Sequence, residues 1–208
     1  MRRLLLFVTT LALLIAFAPA VHAQETQGVQ SAVAWLRAQQ QPDGSFPGFG
    51  AGDTADAVVA LVAAGEDPAD YAAGGATPLD YLAAQAPSYA ATGPGAAAKL
   101  TLAAVAAGAD PTSFGGANLL ELIGASYDAQ TGQYGPDVYG HALALLAIRS
   151  VGVAPPDAAV QRTLALQLDD GGWSFDGSAD TGSDTNTTSL VIMARAPGWA
   201  CSTAPVPP

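Results

Sequence analysis

Basic residues are scarce in this chain, and that scarcity excludes more than any motif establishes. Seven Lys and Arg stand against 18 Asp and Glu in 208 residues, a formal net charge of −11. Nucleic acids and anionic membrane surfaces both need a basic patch to displace their counterions, so neither is expected as a partner. The single cysteine, Cys201, cannot form an internal disulfide. Aromatics make up only 7% of the chain while 50% of it is hydrophobic. A core must therefore be built from Ala, Leu and Val, which suits closely spaced helices meeting through small residues. Strand signals are poor throughout.

One long apolar run is present, at the start. Arg2-Arg3 precede an apolar stretch from Leu4 to Ala18, Pro19 breaks it, and Val21-His22-Ala23 has the small-x-small form of a cleavage site. The run is shorter than the roughly 20 residues that span a bilayer. Residues 1–23 thus read as a signal peptide, Gln24 as the first mature residue, and the product as secreted, with no membrane span after cleavage.

The remainder repeats. Gln40-Gln41-Pro42-Asp43-Gly44-Ser45-Phe46 and Gln167-Leu168-Asp169-Asp170-Gly171-Gly172-Trp173 share the form Gln-x-x-Asp-Gly-[Gly/Ser]-aromatic. Loop aromatics at Phe46, Tyr89, Tyr134 and Trp173 fall at intervals of 43, 45 and 39 residues. A second marker closes each unit: Ala63-Ala64-Gly65-Glu66-Asp67-Pro68 matches Ala106-Ala107-Gly108-Ala109-Asp110-Pro111, with Val151-Gly152 a looser third copy. A third marker, Gly74-Gly75-Ala76 and Gly115-Gly116-Ala117, opens the next helix. One period shared by three markers defines a helical repeat.

Each unit reads as two helices. Val29 to Gln40 carries Val29, Val33, Trp35 and Leu36 at helical spacing, and Asp53 or Thr54 caps a second helix that ends at Gly65. Unit two pairs Pro78 to Gln85 with Gly95 to Ala107, unit three Leu119 to Ser126 with Asp137 to Val151, and unit four Asp157 to Leu168 with Asp184 or Thr185 to Ala196. A lone hairpin cannot bury both its faces, so the hairpins must stack into an inner and an outer layer. In the repeated phrase the glutamine is expected to hydrogen-bond the loop backbone, Asp-Gly to make a tight turn, and the aromatic to pack between hairpins rather than stack on a ligand.

Trp35-Leu36 with Gln40, Asp43, Gly44 and Phe46, and Gln167, Asp170, Gly171, Gly172 and Trp173 followed by Asp184-Thr185-Asn186-Thr187, resemble the prenyltransferase/squalene-oxidase repeat of the α/α toroid superfamily. That superfamily includes terpenoid cyclases, protein prenyltransferase β subunits and cobalamin carriers. The resemblance covers nearly the whole mature chain and implies an all-α fold, a toroid-like arc of about four helix hairpins over residues 24–197. This is an incomplete α6/α6 barrel, since the closed toroid uses about six. A Pro-rich disordered tail, 198–208, follows. An end hairpin with an exposed flank implies self-association, a capping partner or a truncated product.

The family's chemistry does not carry over. Class II cyclases use an Asp-x-Asp-Asp acid, but Gln167 stands where Asp169-Asp170 would need its first aspartate. The Asp-Asp-x-x-Asp pattern of class I enzymes is broken by Gly171-Gly172-Trp173. A prenyltransferase zinc needs Asp, Cys and His, whereas His141 is the one mature histidine and Cys201 lies in the tail. His141 reads as a helix-surface or core residue. Asp176, Asp180 and Asp184 lie in a Gly/Ser/Thr-rich loop that lacks the closing glutamate of an EF-hand and reads as a solvated acidic loop rather than a Ca²⁺ site. Asn186-Thr187-Thr188 forms a glycosylation sequon. No cofactor and no catalytic residue is assigned. The expected function is a secreted, non-catalytic binding or scaffold module, for an apolar or cobalamin-like small molecule held in an Ala/Leu-lined concave face, or for a surface partner. Two alternatives stay open: a cyclase- or prenyltransferase-like enzyme using Asp53, Asp56 or Asp137, and a truncated non-functional fragment.

Overall fold

Alanine sets the spacing of this fold. The computed structural model describes residues 27–48 and 50–196, and the expected signal peptide (1–23) and Pro-rich tail (198–208) lie outside the described residues. These residues are mostly helical and form an all-α protein with one two-stranded ladder. They belong to two compact units, divided between residues 39 and 40. The first contains helix α1, 27–39. Here Val33 and Leu36 are half-buried, but Val29 and Trp35, expected on the same apolar stripe, are exposed.

The unit from Gln40 onward holds α2 (Ala51–Ala63), a 3-10 turn (Pro68–Asp70), α3 (Pro78–Ala90), α4 (Pro94–Ala106), α5 (Leu119–Ala125), β1 (Tyr127–Asp128), β2 (Gln133–Tyr134), α6 (Val138–Ser150), α7 (Asp157–Ala165) and α8 (Thr185–Arg195). Helices α2, α4, α6 and α8 pack side by side in that order. Helix α3 lies against α2 and α4, α5 against α4, and α7 against α6. The row can be tight because its contact residues are small. Ala97, Ala98, Ala103 and Ala104 of α4 and Ala142, Ala144 and Ala147 of α6 are buried, and a Cβ on Gly95 would come within 3.2 Å of the Gly140 Cα. Leu82, Leu100, Leu119, Leu145 and Leu146 fill the remaining core.

Local chemistry starts most of these helices. Thr77 and Asp80 form a reciprocal capping box around Pro78, Asn118 caps α5, and Asp137 and Asp184 cap α6 and α8. The cap of α2 differs from expectation. Gly50 occupies that position, Asp53 sits in the first turn, and Thr54 is buried with its hydroxyl turned to the preceding loop.

Three further expectations are corrected. Helix α3 does not stop at Gln85 but runs through Pro87 to Ala90, so Tyr89 is a helical residue and not a loop aromatic. Pro87 has no N–H for the Ala83 carbonyl, four residues back, and Gly115 packs directly against that carbonyl, where any Cβ would collide with it. Helix α7 ends at Ala165 instead of Leu168, because Leu168 N–H bonds Gly172 O and belongs to the loop. Finally, Tyr127–Asp128 pairs antiparallel with Gln133–Tyr134 across a turn closed by Gly132 N–H to Asp128 O, a ladder too short to show as an alternating pattern.

Candidate functional site

The two repeated phrases form braced turns. At the first loop, Gln40 Nε2 donates to Tyr71 O at 2.8 Å and Gln40 Oε1 accepts from Ala73 N–H at 3.2 Å. Asp43 Oδ1 accepts from the N–H and the hydroxyl of Ser45, and these bonds hold its carboxyl below the usual range. At the second loop, Gln167 Nε2 donates to Gly171 O at 2.7 Å, and Asp170 Oδ1 accepts from Gly172 N–H and the Ser183 hydroxyl. Gly44 and Gly171 both take positive φ, +89° and +86°. Gly172 is a glycine because a Cβ there would meet Ser183 and Thr188. Phe46 and Trp173 are each 5% exposed. They are packing residues, and the Trp173 indole N–H donates to Thr163 O at 2.7 Å.

A relation not foreseen from the sequence joins three of the units. The backbone N–H of the loop aromatic donates to a side chain on the following helix: Phe46 to Thr54 Oγ1 at 3.1 Å, Tyr134 to His141 Nδ1 at 3.0 Å, and Trp173 to Thr188 Oγ1 at 3.0 Å. Each acceptor stands four residues after its helix's N-cap, Gly50, Asp137 or Asp184. His141 is therefore the counterpart of two threonines. Its Nδ1 accepts, so its Nε2 carries the proton and donates to Ala159 O at 3.0 Å. The ring is fully buried, and burial lowers its pKa to about 4. A neutral histidine with both nitrogens committed cannot serve as a ligand or a base.

The N-terminal ends of α4, α6 and α8 open into two clefts that share one aromatic pair. Phe175 O accepts from the N–H groups of Val138 and Tyr139, which ties the 174–183 loop to the first turn of α6. The ring of Phe175 then stacks on Tyr139 with centroids 5.8 Å apart and planes at 28°. On one side lies a cleft of about 290 Å³ walled by Tyr89, Pro94, Lys99, Asp137, Tyr139 and Phe175. On the other lies a cleft of about 520 Å³ bounded by Tyr139, Phe175, Ser183, Asp184, Asn186 and Thr187. The expected Ala/Leu lining is not what these clefts have. A third cleft, of about 420 Å³ at the other end of α6, is the apolar one, with Leu120, Ile123, Val153 and Pro156 in its wall.

The acids near the clefts are already engaged. Asp56 pairs with Lys99 at 2.5 Å. Burial works against the charge on Lys99, but the Asp56 carboxylate outweighs it and raises the lysine pKa. The pair is half in solvent and stabilises by about 0–1 kcal/mol. Asp137 Oδ1 accepts from Gly140 N–H at 2.6 Å as the α6 cap. Burial lifts the Tyr89 phenol pKa. Asp176 is bound by its own loop, through Ser178 N–H and the Thr181 hydroxyl, and Asp184 by the Thr187 N–H. Asp176, Asp180 and Asp184 are not brought together, and among the described residues no group of three or more His, Cys, Asp or Glu side chains could hold a metal ion. No helix among them is long and apolar enough to cross a membrane.

One polar atom is left over. Thr187 is fully buried in the wall of the 520 Å³ cleft, and its Oγ1 has no hydrogen-bond partner. It lies near enough to Asp184 to help the backbone N–H lower that carboxyl's pKa, but without the geometry of a hydrogen bond. An orphaned hydroxyl of this kind costs about 1–3 kcal/mol.

No protein-family model matches the chain, and comparison with curated proteins and with solved structures finds no match either.

Proposed function

We propose that this chain is an extracytoplasmic, non-catalytic binding module of the prenyltransferase/squalene-oxidase repeat type, with α2, α4, α6 and α8 as the inner helices of a toroid-like arc. It holds a small molecule by an apolar face at the N-terminal ends of α4, α6 and α8. The observation that carries this reading is the Tyr139–Phe175 pair. It is fixed by backbone hydrogen bonds, Phe175 is 51% exposed, and it forms a wall of two clefts. An exposed, rigid aromatic surface beside satisfied polar groups favours binding over chemistry, because a general acid or base must have a free proton site. The nearby carboxylates are spent on an ion pair and helix caps, and His141 is sealed in the core.

Titration with Nile red, a neutral dye that fluoresces in apolar surroundings, tests the reading. Saturable one-to-one binding that Phe175→Ala and Tyr139→Ala each abolish is the expected result. Absence of saturation, or binding indifferent to both substitutions, contradicts it.

A further inference from the structure

We infer that the cleft between Phe175 and the first turn of α8 is a subsite for a neutral saccharide, an inference that rests on the binding reading above and names its ligand. Three observations converge there. The first is the unpartnered hydroxyl of Thr187, fully buried in the cleft wall. A ligand hydroxyl in the cleft would give this group the partner it lacks. The second is the flat, half-exposed ring of Phe175 in the wall of the same cleft, its backbone held through its own carbonyl. The third is the character of the rim. Asn186 offers its amide and Ser183 an oxygen that can still accept, its proton going to Asp170, and no Lys or Arg lines the cleft. The Asn186 amide makes no hydrogen bond among the described residues.

The chemistry of the occupant follows. An anion finds no counter-charge in the cleft and meets Asp184 in a chain of net charge −11. A wholly apolar molecule leaves Thr187 and Asn186 unpaired. A pyranose ring has an apolar C–H face for Phe175 and an edge of hydroxyls that both donate and accept, which suits the Thr187, Asn186 and Ser183 groups together.

The test is calorimetric titration of the purified protein, expressed from the full sequence, with neutral trisaccharides of glucose, mannose and N-acetylglucosamine, with choline as the cationic comparison. At least one trisaccharide is expected to bind one-to-one. Phe175→Ala should weaken it about tenfold or more and Thr187→Val about three- to tenfold, while Thr187→Ser retains it. The melting temperature of Thr187→Val should be unchanged or higher, since the substitution removes an unsatisfied hydroxyl. If no trisaccharide binds although Nile red still saturates the cleft, the saccharide assignment falls and the binding reading stands. If neither binds, both fall. Binding of choline alone, or a Thr187→Val protein that melts lower and binds unchanged, also overturns the assignment.

Discussion

The backbone N–H of Tyr134 donates to His141 Nδ1 at 3.0 Å, in the place where Phe46 and Trp173 find the hydroxyls of Thr54 and Thr188. The bond fastens each loop to the helix that follows it, four residues past the cap. Thr54→Val and Thr188→Val keep the side-chain shape but leave the aromatic's N–H without its acceptor. Each should lower unfolding free energy by about 1–3 kcal/mol, with the larger loss at fully buried Thr54, and the Ser variants should recover most of it. Urea denaturation of the four variants measures this.

His141 makes stability depend on pH in a defined window. Its pKa falls from the ordinary 6.5 to about 4 in the folded chain. Between those values the unfolded chain takes up a proton that the folded chain refuses. Stability should therefore be complete above pH 6.5 and fall by about 3 kcal/mol as pH drops toward 4, with no further loss from this group below that. Asp43, Asp110, Asp128, Asp170, Asp176 and Asp184 act in a separate, lower window. Their folded pKa values are depressed below 3.8, and their contribution is lost as pH falls through them. Unfolding curves of the parent should slope between pH 6.5 and 4, whereas those of His141→Asn should start lower and stay flat across that interval.

The two copies of the Asp-Gly turn should respond differently to the same substitution. Gly44 and Gly171 share a positive φ, but a Cβ on Gly44 would run into the Thr77 carbonyl, while Gly171 has nothing within 4 Å. Gly171→Ala should cost about 1–2 kcal/mol from backbone strain alone. Gly44→Ala adds a backbone collision and should cost about 3 kcal/mol or more. Gly115→Ala, which meets the Ala83 carbonyl, belongs with Gly44. Melting temperatures of the three variants give the ranking.

What could be read from the residues was local. Helix starts at Pro78, Leu119, Asp137 and Asp184 were legible because start signals act over about three residues, and the shortage of aromatics pointed to the Ala/Leu core. The end expected at Gln85 is wrong because the continuation of α3 past Pro87 is a tertiary matter: Gly115, far along the chain, packs against the Ala83 carbonyl that the Pro87 nitrogen cannot bond. The Thr54, His141 and Thr188 acceptors stayed hidden because the loops before them differ in length. Counted from the aromatics they are 8, 7 and 15 residues away, and only counting from the caps aligns them. The clefts were invisible for a similar reason, since Phe175 and Tyr139 meet through folding and belong to no common motif.

The central claim is that the N-terminal ends of α4, α6 and α8, around Phe175, form the binding surface. Amide ¹⁵N–¹H chemical shifts of the protein, followed during titration with the ligand that binds it best, test this most directly. The account predicts changes concentrated at Tyr139, Phe175, Ser183, Asn186 and Thr187, with little movement at Leu120, Ile123 or Val153. Changes centred on the apolar cleft at the other end of α6, or spread without focus over the chain, would contradict it.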